Sequence, residues 1–255
     1  MGKIVSISST KGGVGKSTMA LNLAGIYSLL KKKVLIIDLD LYSGGIATSL
    51  NISNEKDIFI MVDGLHNNRY TEFADYVVKY NDYIDVISCP KDPRLANQLE
   101  SKYLPIIFEK AKYNYDVVLV DTNHVLDEIN LTILDNSYNT LFVLSNDIVD
   151  LKNMKSLMSI FKDADKSNYY IVLNNSINNK KEYLTLFDIK NVIGNSIDFE
   201  ISKSFFIKSI EKYMLNGEIL TLSRKIHNSH YKDIKVLKNI ALKLIADNKG
   251  EEDNG

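Results

Sequence analysis

Residues 9 to 18 read Ser-Thr-Lys-Gly-Gly-Val-Gly-Lys-Ser-Thr, a composition suited to gripping phosphate. Gly12, Gly13 and Gly15 carry no Cβ, so backbone N–H groups can converge on an anion there. A helix starting near Lys16 adds the positive end of its dipole. From that position Lys16 reaches the β- and γ-phosphates of a nucleoside triphosphate, and the Ser17 hydroxyl can ligate Mg²⁺. The spacing departs from the pattern G-x-x-x-x-G-K-[ST] at two points. Thr10 stands where the first glycine belongs, and an additional lysine, Lys11, precedes the glycines.

Carboxylates stand at other places where apolar runs end. Asp38 and Asp40 follow Val34–Ile37 one residue apart, and strand alternation points both to one face. Asp121 follows Val117–Val120, and Asn174 follows Tyr170–Leu173. His124, a few residues past Asp121, reads as a loop imidazole beside the phosphate loop. Cys89 reads as a small structural residue beside Pro90.

These residues need a scaffold that brings strand ends together. Lys3–Ser8 is strand-like, and Met19, Leu21, Leu23, Ile26, Leu29 and Leu30 recur at helical spacing, so the glycine turn joins a strand to a helix. Ile84–Ser88 and Leu141–Leu144 add strands, and helical patterns lie near Leu99–Ala111, at Leu151–Phe161 and from about Tyr231 to Ala246. Near-continuous apolar strands alternating with helices predict an α/β fold of three layers (α/β/α), a mostly parallel sheet with helices on both faces. Ligands in such folds bind at the carboxyl ends of the strands.

The chain has 255 residues, 45 % of them hydrophobic and 25 % charged, with a formal charge of −1. Folding a chain of that length buries roughly 70–75 % of the extended surface, so neither a disulfide nor a metal is required for stability. The single cysteine excludes an intrachain disulfide scaffold and a cysteine-based zinc site. No signal-peptide core or membrane-spanning run is visible, which predicts a cytoplasmic protein. One domain is expected over residues 1–246, followed by an acidic, disordered tail at 247–255, with a polar loop at Asn175–Glu182.

The loop at 9–18 resembles the deviant Walker A ATPases, the ParA/MinD group, whose fold is P-loop NTPase-like. The resemblance runs from Lys3 to about Ala246. It implies ATP and Mg²⁺ as cofactors and Gly12, Gly13, Val14, Gly15, Lys16, Ser17 and Thr18 as nucleotide contacts. It makes Lys11 the signature lysine, which reaches the partner subunit's phosphates in a nucleotide-dependent homodimer, much as an arginine finger does. It places Asp38 near Mg²⁺, has Asp40 orient the attacking water, makes Asp121 the Walker B carboxylate on Mg²⁺, and gives Asn174 to the adenine. Lys11, Lys16 and Asp40 are therefore the catalytic candidates, and Ser17, Asp38 and Asp121 the metal ligands.

Three segments, Asp38-Leu-Asp-Leu-Tyr-Ser-Gly-Gly-Ile-Ala, Cys89-Pro-Lys-Asp-Pro-Arg-Leu-Ala and Tyr115-Asp-Val-Val-Leu-Val-Asp-Thr, resemble the CpaE/TadZ subgroup. That branch implies an ATP-dependent switch organising a pilus or secretion complex, with a protein partner there and a position at a cell pole or the inner membrane. The alternatives are a partition or MinD-like spatial regulator and a nucleotide-dependent binding module without hydrolysis. Asn123-His124 and Ser202 stand where relatives carry prolines.

Nucleic acid and membrane contacts are the less favoured partners. Nine Lys/Arg against four acids between Glu200 and Ile245 make the last third locally basic, which suits DNA but is more simply a solvated surface. Ile234, Leu237, Ala241, Leu244 and Ile245 form one apolar stripe on the last helix. Such a stripe serves either an anionic bilayer or a protein core.

Overall fold

The computed structural model describes residues 1–53, 55–177 and 184–247. The predicted acidic tail falls outside the described residues from 248 onward, as does most of the predicted loop at 175–182. In chain order the elements are β1 (Lys3–Ser8), α1 (Lys16–Leu29), β2 (Val34–Leu39), α2 (Ile46–Ser49), α3 (Ile58–His66), β3 (Val78–Lys79), β4 (Ile84–Ile87), α4 (Leu104–Asn114), β5 (Val117–Thr122), α5 (Glu128–Asn136), β6 (Asn139–Leu144), α6 (Ile148–Asp163), β7 (Tyr169–Asn174), α7 (Leu186–Ile193), β8 (Phe199–Ile201), α8 (Ile210–Leu215), α9 (Arg224–Ser229) and α10 (Tyr231–Leu244).

The strands form one sheet in the order β3-β4-β2-β5-β1-β6-β7-β8. Every pairing is parallel except that of the edge strand β3 with β4. From β1 the chain moves to β2 on one side, and after β5 it crosses to β6 on the other. The crevice at the carboxyl end of β1 is therefore the switch point where α/β sheets bind ligands. In the β2–β5 ladder Asp38 pairs with Asp121.

Strand alternation sorts the core into two faces. Val5, Ile7, Val34, Ile36, Val117, Leu119, Leu141 and Val143 face a layer that includes α1, α9 and α10. Ile4, Leu35, Ile37, Val118 and Val120 face α3, α4 and α5. Farther along that second face, Phe142, Leu144, Ile171 and Leu173 pack on α6 and α7. Helices on both faces explain why the central strands are apolar throughout instead of alternating with polar residues. This is the predicted three-layer α/β/α fold.

Elements with weak periodic signals were not legible beforehand. β3 and β8 have two and three residues, too few for a pattern. The apolar run Ile58–Val62 shows no helical spacing, yet Ile58–His66 forms a helix, whose start the Asp57 side chain caps by accepting the Ile60 N–H. The helix expected from about Leu99 begins at Leu104, where Pro105 fits the first turn; short 3₁₀ turns precede it.

The stripe on α10 is occupied by protein. Ile234, Leu237, Ala241 and Leu244 are buried in the core shared with α1 and the sheet, and Ile245 packs partly against it. The carbonyls of the last turns are also satisfied internally. The Tyr27 hydroxyl donates to the Ala241 carbonyl (2.7 Å) and Asn139 Nδ2 to that of Leu244 (2.9 Å). Of the two uses open to the stripe, a bilayer surface or a protein core, the structure takes the core. Among the described residues, no helix is long and apolar enough to cross a membrane. Leu237→Ala should therefore destabilise the fold by about 2–5 kcal/mol, measured by urea unfolding. A change within error would mean that α10 packs only loosely.

Candidate functional site

The glycine turn bridges the end of β1 and the start of α1, and its backbone explains its composition. Gly13 (φ 75°) and Gly15 (φ 95°) occupy the left-handed region, which a side chain would strain. At Gly15 space is also limiting, since a Cβ there would lie 2.7 Å from Asn174 Nδ2. Helices α3, α5, α6 and α7 are each closed by an Asp or Thr side chain. Helix α1, like α2, starts from a glycine N-cap without a side-chain cap, and its first turn contains no acid. The leading N–H groups of a helix have no intrahelical partner, and an anion in the loop completes that arrangement.

Lys16 opens α1 and is buried, while Ser17 is half-buried. Asp38 and Asp121 lie side by side at the adjacent strand ends, each 0 % exposed. The Asp38 carboxylate accepts the Asp40 and Ile46 N–H groups, both at 3.2 Å. Burial nevertheless pushes its pKa up to about 7, against the lowering effect of those two donors. Among the described residues, both oxygens of Asp121 lack a well-formed hydrogen bond. Burial, and next the Asp38 charge, raise its pKa, while Ser17 and Lys16 are the neighbours that hold it down. An orphaned buried carboxylate beside a serine hydroxyl and an uncapped helix fits a divalent cation shared with phosphate oxygens.

Asp40 sits one residue past the end of β2 and is half-buried. Asn174 Nδ2 donates to the Val14 carbonyl (3.0 Å), and its Oδ1 accepts from Ser176 N (3.1 Å) and Oγ (2.7 Å). Its amide thus braces the loop from beneath. Val14 is buried, whereas Gly12, Gly13 and Thr18 are exposed. Ser202 donates through N and Oγ to buried Asp233 (3.0 and 2.8 Å).

The loop is also tied to α6, which sequence reasoning did not detect. Lys11 Nζ lies 2.9 Å from Asp147 Oδ2 within the same chain. The Thr10 hydroxyl donates to Asp150 Oδ1 (2.8 Å), and Asp150 Oδ2 accepts from Ser145 N (2.8 Å) and Oγ (2.7 Å). The Lys11 ammonium holds the Asp147 carboxyl below its ordinary range. The available signal was Asp147, an N-cap acid directly after the strand run ending at Leu144.

Past β5, Asn123 organises the loop by accepting from Val125 N (2.7 Å) and Asn130 Nδ2 (2.6 Å). The same segment leaves the His124 ring 3.6 Å from where a Cβ on Gly12 would stand. Cys89, read from sequence as structural filler, lies against Asp38 and Gly44.

This combination of parallel sheet, open glycine turn and paired strand-end carboxylates defines a nucleotide-binding α/β protein. Residues 2–179 match the family described as an AAA domain, AAA_31, and the chain belongs to that family; its relatives place it with the ParA/MinD ATPases. The chain is 26 % identical over 223 residues to the sporulation initiation inhibitor protein Soj of Bacillus subtilis, which covers 80 % of this chain and 81 % of Soj. Its fold matches a ParA family ATPase from Chlorobium tepidum (TM-score 0.79, 20 % identity, 95 % of this chain and 99 % of the other). It also matches the septum site-determining protein MinD complexed with Mg-ADP from Pyrococcus horikoshii (TM-score 0.76, 18 % identity, 96 % of each chain).

The buried carboxylates set a pH dependence. Their folded-state pKa values lie above the unfolded value, so the fold keeps protons that the unfolded chain has already shed. The resulting stability is complete below pH about 4 and is lost as pH rises through about 7. The melting temperature of nucleotide-free protein should therefore fall between pH 5 and pH 8. Asp121→Asn should raise it at pH 8 and flatten the profile, read by calorimetry; an equal fall in both proteins would contradict the pairing.

Proposed function

We propose that the protein is an ATP-binding dimerisation switch of the ParA/MinD type that hydrolyses ATP slowly and passes its nucleotide state to a partner. The observation that carries this reading is the orphaned Asp121 carboxylate beside Ser17, beneath an uncapped helix and two left-handed glycines. ATP would supply the γ-phosphoryl group when bound, and its Mg²⁺ the positive charge that offsets the buried acids. The backbone of Gly12 to Thr18 cradles the phosphates, and Lys16 neutralises their charge. Ser17 and Asp121 hold the metal, with Asp38 beside it, and Asp40 orients water.

Lys11 carries the deviant element of the loop. In a closed pair of chains it exchanges Asp147 for the other subunit's phosphates, where a cation stabilises the charge developing in the transition state. Partner affinity then differs between open and closed states. Asn174, which the resemblance gives to the adenine, holds the loop at Val14.

The curated relatives named for partition and septum placement support a spatial regulator over the pilus branch. The CpaE/TadZ resemblance of the segments at 38–47, 89–96 and 115–122 is what keeps pilus or secretion organisation as the second reading.

Sedimentation with Mg·ATP should show wild-type dimers and none for Lys16→Ala, which loses nucleotide binding. Lys11→Ala should bind nucleotide but release phosphate at least about tenfold more slowly. Full turnover in Lys11→Ala would remove the trans-acting lysine. Wild-type phosphate release no faster than Lys16→Ala would leave a binding module without hydrolysis. ATP-dependent, salt-sensitive retention on random duplex DNA would favour partition, and its absence at low salt would exclude it.

A further inference from the structure

Cys89 is the only cysteine of the chain, and it is half-buried immediately past β4. Three elements meet at this point. The Ser88 carbonyl accepts the Ile58 N–H at 2.9 Å, which joins β4 to the start of α3. Asp57, the cap of α3, and Asp40 lie near enough for their charges to act on the thiol, and Asp38 lies beside it. From the third side comes the turn between β2 and α2. A Cβ on Gly44 would lie 2.0 Å from Cys89 Sγ and 2.9 Å from Asp38 Oδ2. Gly44 is thus fixed by close approach and not by its φ, and the sulfur fills the place a side chain would take.

A free thiol is protonated at neutral pH, and the Asp38 carboxylate beside it can only accept. The thiol is therefore an S–H donor, not a nucleophile. The Asp38 carboxylate is the acceptor beside it across Gly44, and among the described residues that carboxylate takes the Asp40 and Ile46 N–H groups, both at 3.2 Å. Those two amides bracket the turn that carries Asp40, so the carboxylate is the hub on which the turn hangs.

We propose that Cys89 is a positioning residue: its S–H donates to Asp38 while its sulfur seats Gly44, fixing the Asp40–Ile46 turn, and hence Asp40, against the end of β4. The proposal rests on the ATPase reading for its consequence in turnover, but the positioning itself can be tested without hydrolysis. Hydroxyl and thiol share the donor, whereas alanine and valine lack it; valine also retains bulk beside Gly44.

The experiment compares wild type with Cys89→Ser, Cys89→Val and Cys89→Ala by amide hydrogen exchange and by steady-state hydrolysis, with thermal melts confirming that each folds. Exchange at the Asp40 and Ile46 amides should rise about three- to tenfold in Cys89→Ala and Cys89→Val, while β1 amides stay unchanged. Cys89→Ser should remain near wild type. In the same two variants kcat should fall about three- to tenfold while KM for ATP moves less than about twofold.

Unchanged exchange in Cys89→Ala would overturn the proposal, as would equal losses in Cys89→Ser and Cys89→Val, which would make the role one of packing alone. A loosened turn with unchanged kcat in a hydrolysing protein would also overturn it. Absence of hydrolysis in wild type would sink the ATPase reading instead, and the exchange data would still decide the role of Cys89.

Discussion

Two carboxylates side by side, each wholly withdrawn from water, are the constraint around which this molecule is arranged. Their mutual repulsion and their lost hydration oppose folding, and no arginine or lysine pairs directly with either among the described residues. The fold tolerates them because they sit at the carboxyl ends of parallel strands, in the crevice that opens where the chain reverses direction along the sheet. The glycine turn and the bare start of α1 face the same space. A cation and a polyphosphate would relieve both strains together, the first by neutralising the acids and the second by accepting the helix amides. Apo-state instability and ligand binding are then two aspects of one electrostatic arrangement.

Much of this was visible in the residues. The glycines, Lys16 and Ser17 have a chemistry that the strand–helix context makes specific, and the apolar runs fixed β1, β2, β5, β6 and β7 within two residues of their observed starts. What escaped were features set by tertiary contact. Strands of two or three residues exist because a neighbour pairs with them. A run such as Ile58-Phe-Ile-Met-Val shows no helical spacing, yet it opens a helix that one aspartate caps. The roles of Asp147, Asp150 and Cys89 depend on elements far apart in sequence, and no local spacing announces them.

The stripe of α10 illustrates the same limit on a larger scale. Its sequence fits a membrane surface and a protein core equally well, because both require a wide apolar face with lysines opposite. Only the partner decides, and here α1 and the sheet are the partner. The locally basic character of the last third is a statement about the surface that remains. It constrains non-specific association more than it constrains the fold.

The closing of α10 reaches back to β1. Lys3 donates to the Ile245 carbonyl (2.7 Å) and pairs with Asp247 (2.5 Å), and the Tyr138 hydroxyl donates to the Ala246 carbonyl (2.7 Å). The first strand and the last helix therefore emerge together at the rim of the sheet opposite the glycine turn. Residues 3 and 245–247 thus close on one another at the end of the sheet away from the face that carries Lys11, His124 and the start of α6. The clasp ties the opening of the fold to its close, so fraying of α10 and loss of β1 from the sheet are one event rather than two.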